Sequence, residues 1–181
     1  MVLGPAAVAR AVAVQVWPLL LLAGVLLGSA LAWWARSGDP VPAAMAWKLL
    51  AEPGVLGLVA SFALHESAHA WALGRMPGIT GITLERTAWR TSVVPHGTMS
   101  ARQSAAVALA GPVACAAVGA ALWLPDLDRP LSWWYLAHLA FLLPCFGDGR
   151  ALWRAVASRR CDPPGSEATP ESGSGTRPSA S

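Results

Sequence analysis

Apolar and polar positions in this chain fall into long blocks rather than alternating, and four blocks dominate. Ala11 to Trp34 runs 24 residues without a charge, and Gly54 to Gly74 carries one, Glu66. Ser104 to Leu124 has none in 21 residues, and Leu131 to Gly147 none in 17. A helix of about 20 apolar residues crosses the hydrocarbon of a bilayer. The pattern therefore predicts four transmembrane helices, the last extending through Asp148 toward Trp153. Trp17, Trp33, Trp34, Trp123, Trp133 and Trp134 lie near block ends, where indole rings favour the membrane–water interface.

The segments between the blocks carry the charge. The stretch 75–102 holds Arg75, Arg86, Arg90 and Arg102 against Glu85, and Arg150, Arg154, Arg159 and Arg160 follow the fourth block. The loop Pro125–Pro130 sets Asp126 and Asp128 against Arg129, and Ala35–Pro53 balances two basic with two acidic residues. Basic residues in short loops stay cytoplasmic. Both termini and the 75–102 loop are therefore expected inside and the other two loops outside, in what is expected to be the cell's plasma membrane. The first block has a second reading as a cleaved signal peptide, with Arg10 as its basic start and Ala30-Leu31-Ala32 as its small-residue site.

Within the 75–102 loop, Ile79–Leu84 and Thr91–Val94 are rich in β-branched residues and predict a short hairpin. From Cys161 to Ser181 there are four Pro, three Gly and five Ser with no Leu, Ile, Val or aromatic residue. Such a segment buries too little to offset chain entropy and is expected to be a disordered tail. The expected fold is an all-α polytopic membrane protein of about four transmembrane helices, with a β-hairpin-like cytoplasmic loop and a disordered C-terminal tail. Its expected divisions are a first helix and external loop over 1–53, a core over 54–160 and the tail over 161–181.

Composition agrees. The chain is 55% hydrophobic and 13% charged, against about 25% charged in soluble domains. A net charge of +3 spread along 181 residues offers no basic face for nucleic acid. Three cysteines, odd in number and without paired spacing, argue against a disulfide framework.

The second block contains His65-Glu66-Ser67-Ala68-His69, a match to H-E-x-x-H. On a helix, positions i and i+4 share a face, so both imidazoles reach one metal ion while Glu66, about 100° round, addresses an attacking water. A carboxylate inside a spanning helix costs about 2.5–3.5 kcal/mol on insertion scales, so it marks function by default. A catalytic zinc takes three protein ligands, and the motif supplies two. Asp148, at the cytoplasmic end of the fourth block, matches the two histidines in depth. His138 lies toward the outer half of that block and is expected to make an interhelical hydrogen bond instead. His96 reaches only if the hairpin folds back, and Cys145 lies one turn before Asp148. Gly111-Pro112 is expected to kink the third helix, either for packing alone or to open room beside the zinc.

The order of these motifs, His65-Glu66-Ser67-Ala68-His69, then Ala110-Gly111-Pro112, then Leu142-Leu143-Pro144 and Asp148-Gly149, resembles the site-2 protease family of intramembrane zinc metalloproteases. The resemblance covers roughly residues 54–155, and no PDZ or CBS module accompanies it. It implies one zinc per chain held by His65, His69 and Asp148, with Glu66 as catalytic base. It also implies a membrane-embedded hairpin, here within Met76–Ala101, that guides substrate. The expected activity is endopeptidase cleavage of transmembrane segments near the cytoplasmic face. The expected partners are membrane-protein substrates and lipid, with no nucleic acid. A different class of reading makes the same histidines those of a non-catalytic metal binder or transporter. The chain departs from the family in four places. Ala68 stands where Gly is common before the second His, and Cys115 and Phe141 stand where Asn is common. The Pro144-to-Asp148 spacing is one residue short.

Overall fold

The computed structural model describes residues 4–86 and 91–161; the expected tail and the hairpin tip with Arg90 lie outside the described residues. The chain order is α1 (Pro5–Gln15), α2 (Trp17–Ser37), α3 (Val41–Leu49), a π-helical segment (Leu50–Ala60) and α4 (Ser61–Leu73). Strands β1 (Ile79–Arg86) and β2 (Thr91–Gly97) follow, then α5 (Ala101–Trp123), α6 (Arg129–Leu136), a 3-10 segment (Ala137–Leu142) and α7 (Gly147–Cys161). Three helices are long and apolar enough to cross a membrane: Trp17–Ser37, Val41–Leu73 and Ala101–Trp123.

The first expected span is not one helix. Pro18 has no N–H to give the Val14 carbonyl and its ring collides with that turn, so the chain breaks at Val16 and restarts with Pro18 in the first turn of α2. The separated α1 buries Val8 and Val12, one helical turn apart on a single face, and packs on α4 and β2.

The external loop expected over Ala35–Pro53 is also largely helical. α3, the π-helical segment and α4 form one helix of 33 residues, about 50 Å long, which runs through residue 53. Pro53 lies inside it. A proline removes one ladder bond and crowds the carbonyl four residues back, and the wider π turns around it absorb the misfit. Ala30, Ala43 and Ala46 with Leu27 close the α2–α3 contact, small residues that let helix backbones approach.

The hairpin occurs as expected. β1 and β2 pair antiparallel, with Thr83 opposite Val94 and Leu84 opposite Val93, and a bulge between Ile79 and Gly81. α5 starts with a capping box in which Ser100 Oγ accepts from the Gln103 N–H at 3.3 Å and Gln103 Oε1 accepts from the Ser100 N–H at 2.7 Å. It continues through Pro112 as one helix and packs against α4, α6 and α7.

The fourth expected span is broken. α6, capped by Asp128 Oδ1 accepting from the Leu131 N–H at 2.9 Å, tightens into the 3-10 segment. The chain is extended at Leu143, because the residue before a proline is pushed out of helical geometry, and α7 restarts at Gly147.

Candidate metal centre

α4 supplies three of the four expected site residues because its 3.6-residue period puts His65 and His69 on one face. Both are buried, at 4% and 7% exposure. Their Nε2 atoms lie 3.1 Å apart. Asp148 Oδ2, from the first turn of α7, lies 3.0 Å from His65 Nε2 and 3.3 Å from His69 Nε2. Ligands held tetrahedrally at ~2.0–2.2 Å from zinc stand about 3.3–3.5 Å from each other, so the triangle closes on a single ion with small outward movement.

The donor chemistry supports the same conclusion. His69 Nδ1 lies 2.8 Å from the Val107 carbonyl of α5. A carbonyl only accepts, so that nitrogen carries the proton, and in the neutral ring Nε2 presents a lone pair to the centre. Two imidazole nitrogens and a carboxylate oxygen converging within 3.3 Å repel one another unless a proton or a metal ion is shared among them. These three residues could hold a metal ion.

Two glycines make the convergence sterically feasible. A Cβ at Gly111 would stand 2.6 Å from His69 Nε2 and 2.9 Å from the His65 ring, so only a bare backbone lets α5 pass this close to the imidazoles. Of the two roles expected for Gly111-Pro112, a kink or room beside the metal, the second is the one this clearance serves. A Cβ at Gly149 would run into the Leu143 carbonyl. Gly149 thereby lets α7 fold back against the end of the 3-10 segment, which carries Asp148 toward α4.

Glu66 is half-buried and lines a cavity of about 600 Å3 together with His65, His69 and Asp148. Ser92, Val93, Val94 and Pro95 of β2 form one wall, and Val12, Gln15 and Val16 at the end of α1 form another. Val93 of β2 lines the cavity beside Glu66. The hairpin thus reaches the centre, although His96 does not join it. His96 is exposed and its Nε2 lies 3.0 Å from Thr83 Oγ1. Cys145 lines the same cavity but is outside the groups placed to hold a metal among the described residues.

His138 overturns the depth expected for it. Its ring lies 5.2 Å from that of His65, at 3% exposure. Side chains on both sides of the break at Leu143 meet α4: His138 before it faces Phe62 and His65, and Asp148 after it meets His65 and His69. His65, Cys115 and His138 form a second buried group with ligand atoms within 4.8 Å of one another. Cys115 Sγ also donates to the Ser61 carbonyl at 3.4 Å. Phe141 packs its ring 5.2 Å from His65.

Comparison with protein-family models, with curated proteins and with solved structures gives no match. The functional reading therefore stands on the residues and their geometry.

Proposed function

We propose that the chain is an intramembrane zinc metalloendopeptidase that hydrolyses peptide bonds in transmembrane segments of membrane proteins near the cytoplasmic face. The observation that carries this reading is the meeting of His65 Nε2, His69 Nε2 and Asp148 Oδ2 within 3.3 Å, with Glu66 beside them on an open cavity. One zinc per chain, held by those three atoms, would supply Lewis-acid polarisation of the scissile carbonyl and acidify the attacking water.

The other roles belong to the chain itself. Glu66 accepts the water's proton and passes it to the leaving amine. The Val107 carbonyl fixes the His69 tautomer. β2, which walls the cavity, offers extended backbone to a substrate segment that has left its helix, since a helical peptide bond keeps its carbonyl in the ladder. The three long apolar helices favour an integral membrane location. The arginine distribution favours the plasma membrane orientation with both termini cytoplasmic.

The second buried group, His65 with Cys115 and His138, favours a different reading, a non-catalytic metal binder or transporter. One experiment separates the two: zinc content and cleavage of a membrane-spanning peptide, wild type against Glu66→Gln. The protease retains zinc in the variant and loses cleavage by at least ~10²–10⁴-fold, the usual contribution of general base catalysis. Wild-type cleavage by the zinc-loaded variant would end the reading, and a metal carrier would handle metal normally without Glu66.

A further inference from the structure

Two buried side-chain nitrogens near the centre have no hydrogen-bond partner among the described residues: His65 Nδ1 and His138 Nε2. Buried polar atoms are rarely left unpaired, and these two belong to neighbouring rings tilted by 43°. Their proton states follow from the opposite ring nitrogens. His138 Nδ1 lies 3.0 Å from the Trp134 carbonyl, which only accepts, so Nδ1 is protonated and Nε2 is a bare acceptor. His65 turns Nε2 toward Asp148 and His69; as a metal ligand that nitrogen is bare, so Nδ1 carries the proton and needs an acceptor. One orphan is a donor and the other an acceptor.

We infer that His138 is a positioning residue for His65: its Nε2 accepts the His65 Nδ1–H, directly or through one enclosed water, and locks His65 in the metal-ligating tautomer and ring orientation. Competing partners are poor. The rings of Phe62 and Phe141 stand 4.8 Å and 5.4 Å from His138 and offer no acceptor nitrogen or oxygen. The Cys115 thiol donates to the Ser61 carbonyl, and its sulfur is only a weak acceptor. The aromatic enclosure also holds His138 in place, so its acceptor is fixed before metal arrives. This rests on the metal-centre reading and not on proteolysis, so its test reads metal binding and tautomer rather than cleavage.

The full-length protein in detergent is titrated with zinc against a competing chelator, as wild type, His138→Gln and His138→Leu. Loss of an outer-shell partner typically weakens metal affinity 10–100-fold. His138→Leu is expected to fall in that range, and His138→Gln, whose Oε1 falls near the Nε2 position, to stay within ~3-fold of wild type. Rescue by Gln distinguishes hydrogen bonding from packing, which both variants disturb. In zinc-loaded wild type, 15N NMR is expected to show His65 with Nδ1 protonated, a readout that needs no variant to fold. Unchanged affinity in His138→Leu, or a bare His65 Nδ1 in the loaded protein, overturns the inference while leaving the metal centre standing. Two zinc ions per chain, the second lost in Cys115→Ser, would overturn it in favour of a second metal position. A wild-type protein that takes no zinc removes both this inference and the metal centre.

Discussion

The α2–α3 hairpin and the α4–α5–α7 cluster are both apolar, yet they are built on opposite rules. Only 6% of the most apolar window of α2 is buried inside the protein, against 28% of that of α5. α2 turns Leu19, Leu21, Leu22, Val25 and Leu26 outward and touches its neighbour through alanines. The cluster buries Ser61, His65, His69 and Cys115, and His138 of the 3-10 segment is buried against it. Leu side chains are at home against lipid, so α2 needs no protein cover. Polar groups removed from water must find partners, so the cluster is held by specific contacts that tolerate little change. Hydropathy reports the first rule and is silent about the second.

The largest effect expected from that difference comes from removing a donor. His65→Ala, His69→Ala or Asp148→Ala each takes one corner from a triangle whose edges are 3.0–3.3 Å, and each should abolish stoichiometric zinc binding in equilibrium dialysis. Full metal retention in the His65→Ala/His69→Ala double variant would leave the cluster without the role given to it here.

Gly111→Ala comes next. It adds a single methyl group, but at 2.6 Å from His69 Nε2, so α5 or the imidazole has to shift. Overpacking of this kind typically costs about 1–3 kcal/mol, and zinc affinity should fall at least tenfold because the ligand itself is displaced. The same change at Gly24, where an added Cβ meets nothing within 4 Å, should leave zinc affinity untouched. Equal effects of the two substitutions would erase the distinction between lipid-facing helix and site.

What the sequence made legible follows the same division. The His65–His69 face and the hairpin are local patterns, a helical period and a β-branched alternation, and both occur where expected. What escaped were the paths of helices at proline. Pro18 and Pro144 break the chain, whereas Pro53 is absorbed in π turns and Pro112 lies within α5. A proline announces a missing donor and a clash, but whether the helix bends, widens or restarts is decided by what packs around it. The break at Leu143 escaped for that reason, because straight-helix counting from Leu131 runs on through Pro144 toward Asp148. Asp148, singled out by depth, lies within 3.3 Å of both imidazoles, and Gly149, which makes its approach possible, was noted only as part of a motif.

The smallest effect tests the lipid-facing half directly through a pair of identical substitutions. Leu73, at the end of α4, is 1% exposed, while Leu22 in α2 is 67% exposed. Leu73→Ala leaves a cavity in the cluster, and the lost transfer free energy plus the void together cost about 2–5 kcal/mol. Leu22→Ala leaves no cavity, since lipid fills the space. It gives up only the insertion preference of one leucine, about 0.3–0.6 kcal/mol. Thermal unfolding in a lipid-like detergent, or the midpoint of a mild denaturant titration, should therefore separate the two variants clearly, with Leu22→Ala close to wild type. The comparison is sharpest if zinc is held at a fixed excess, because ligand binding stabilises the folded state by mass action and would otherwise add to the Leu73 effect. If Leu22→Ala were the more damaging change, α2 would be buried against a partner chain rather than facing lipid.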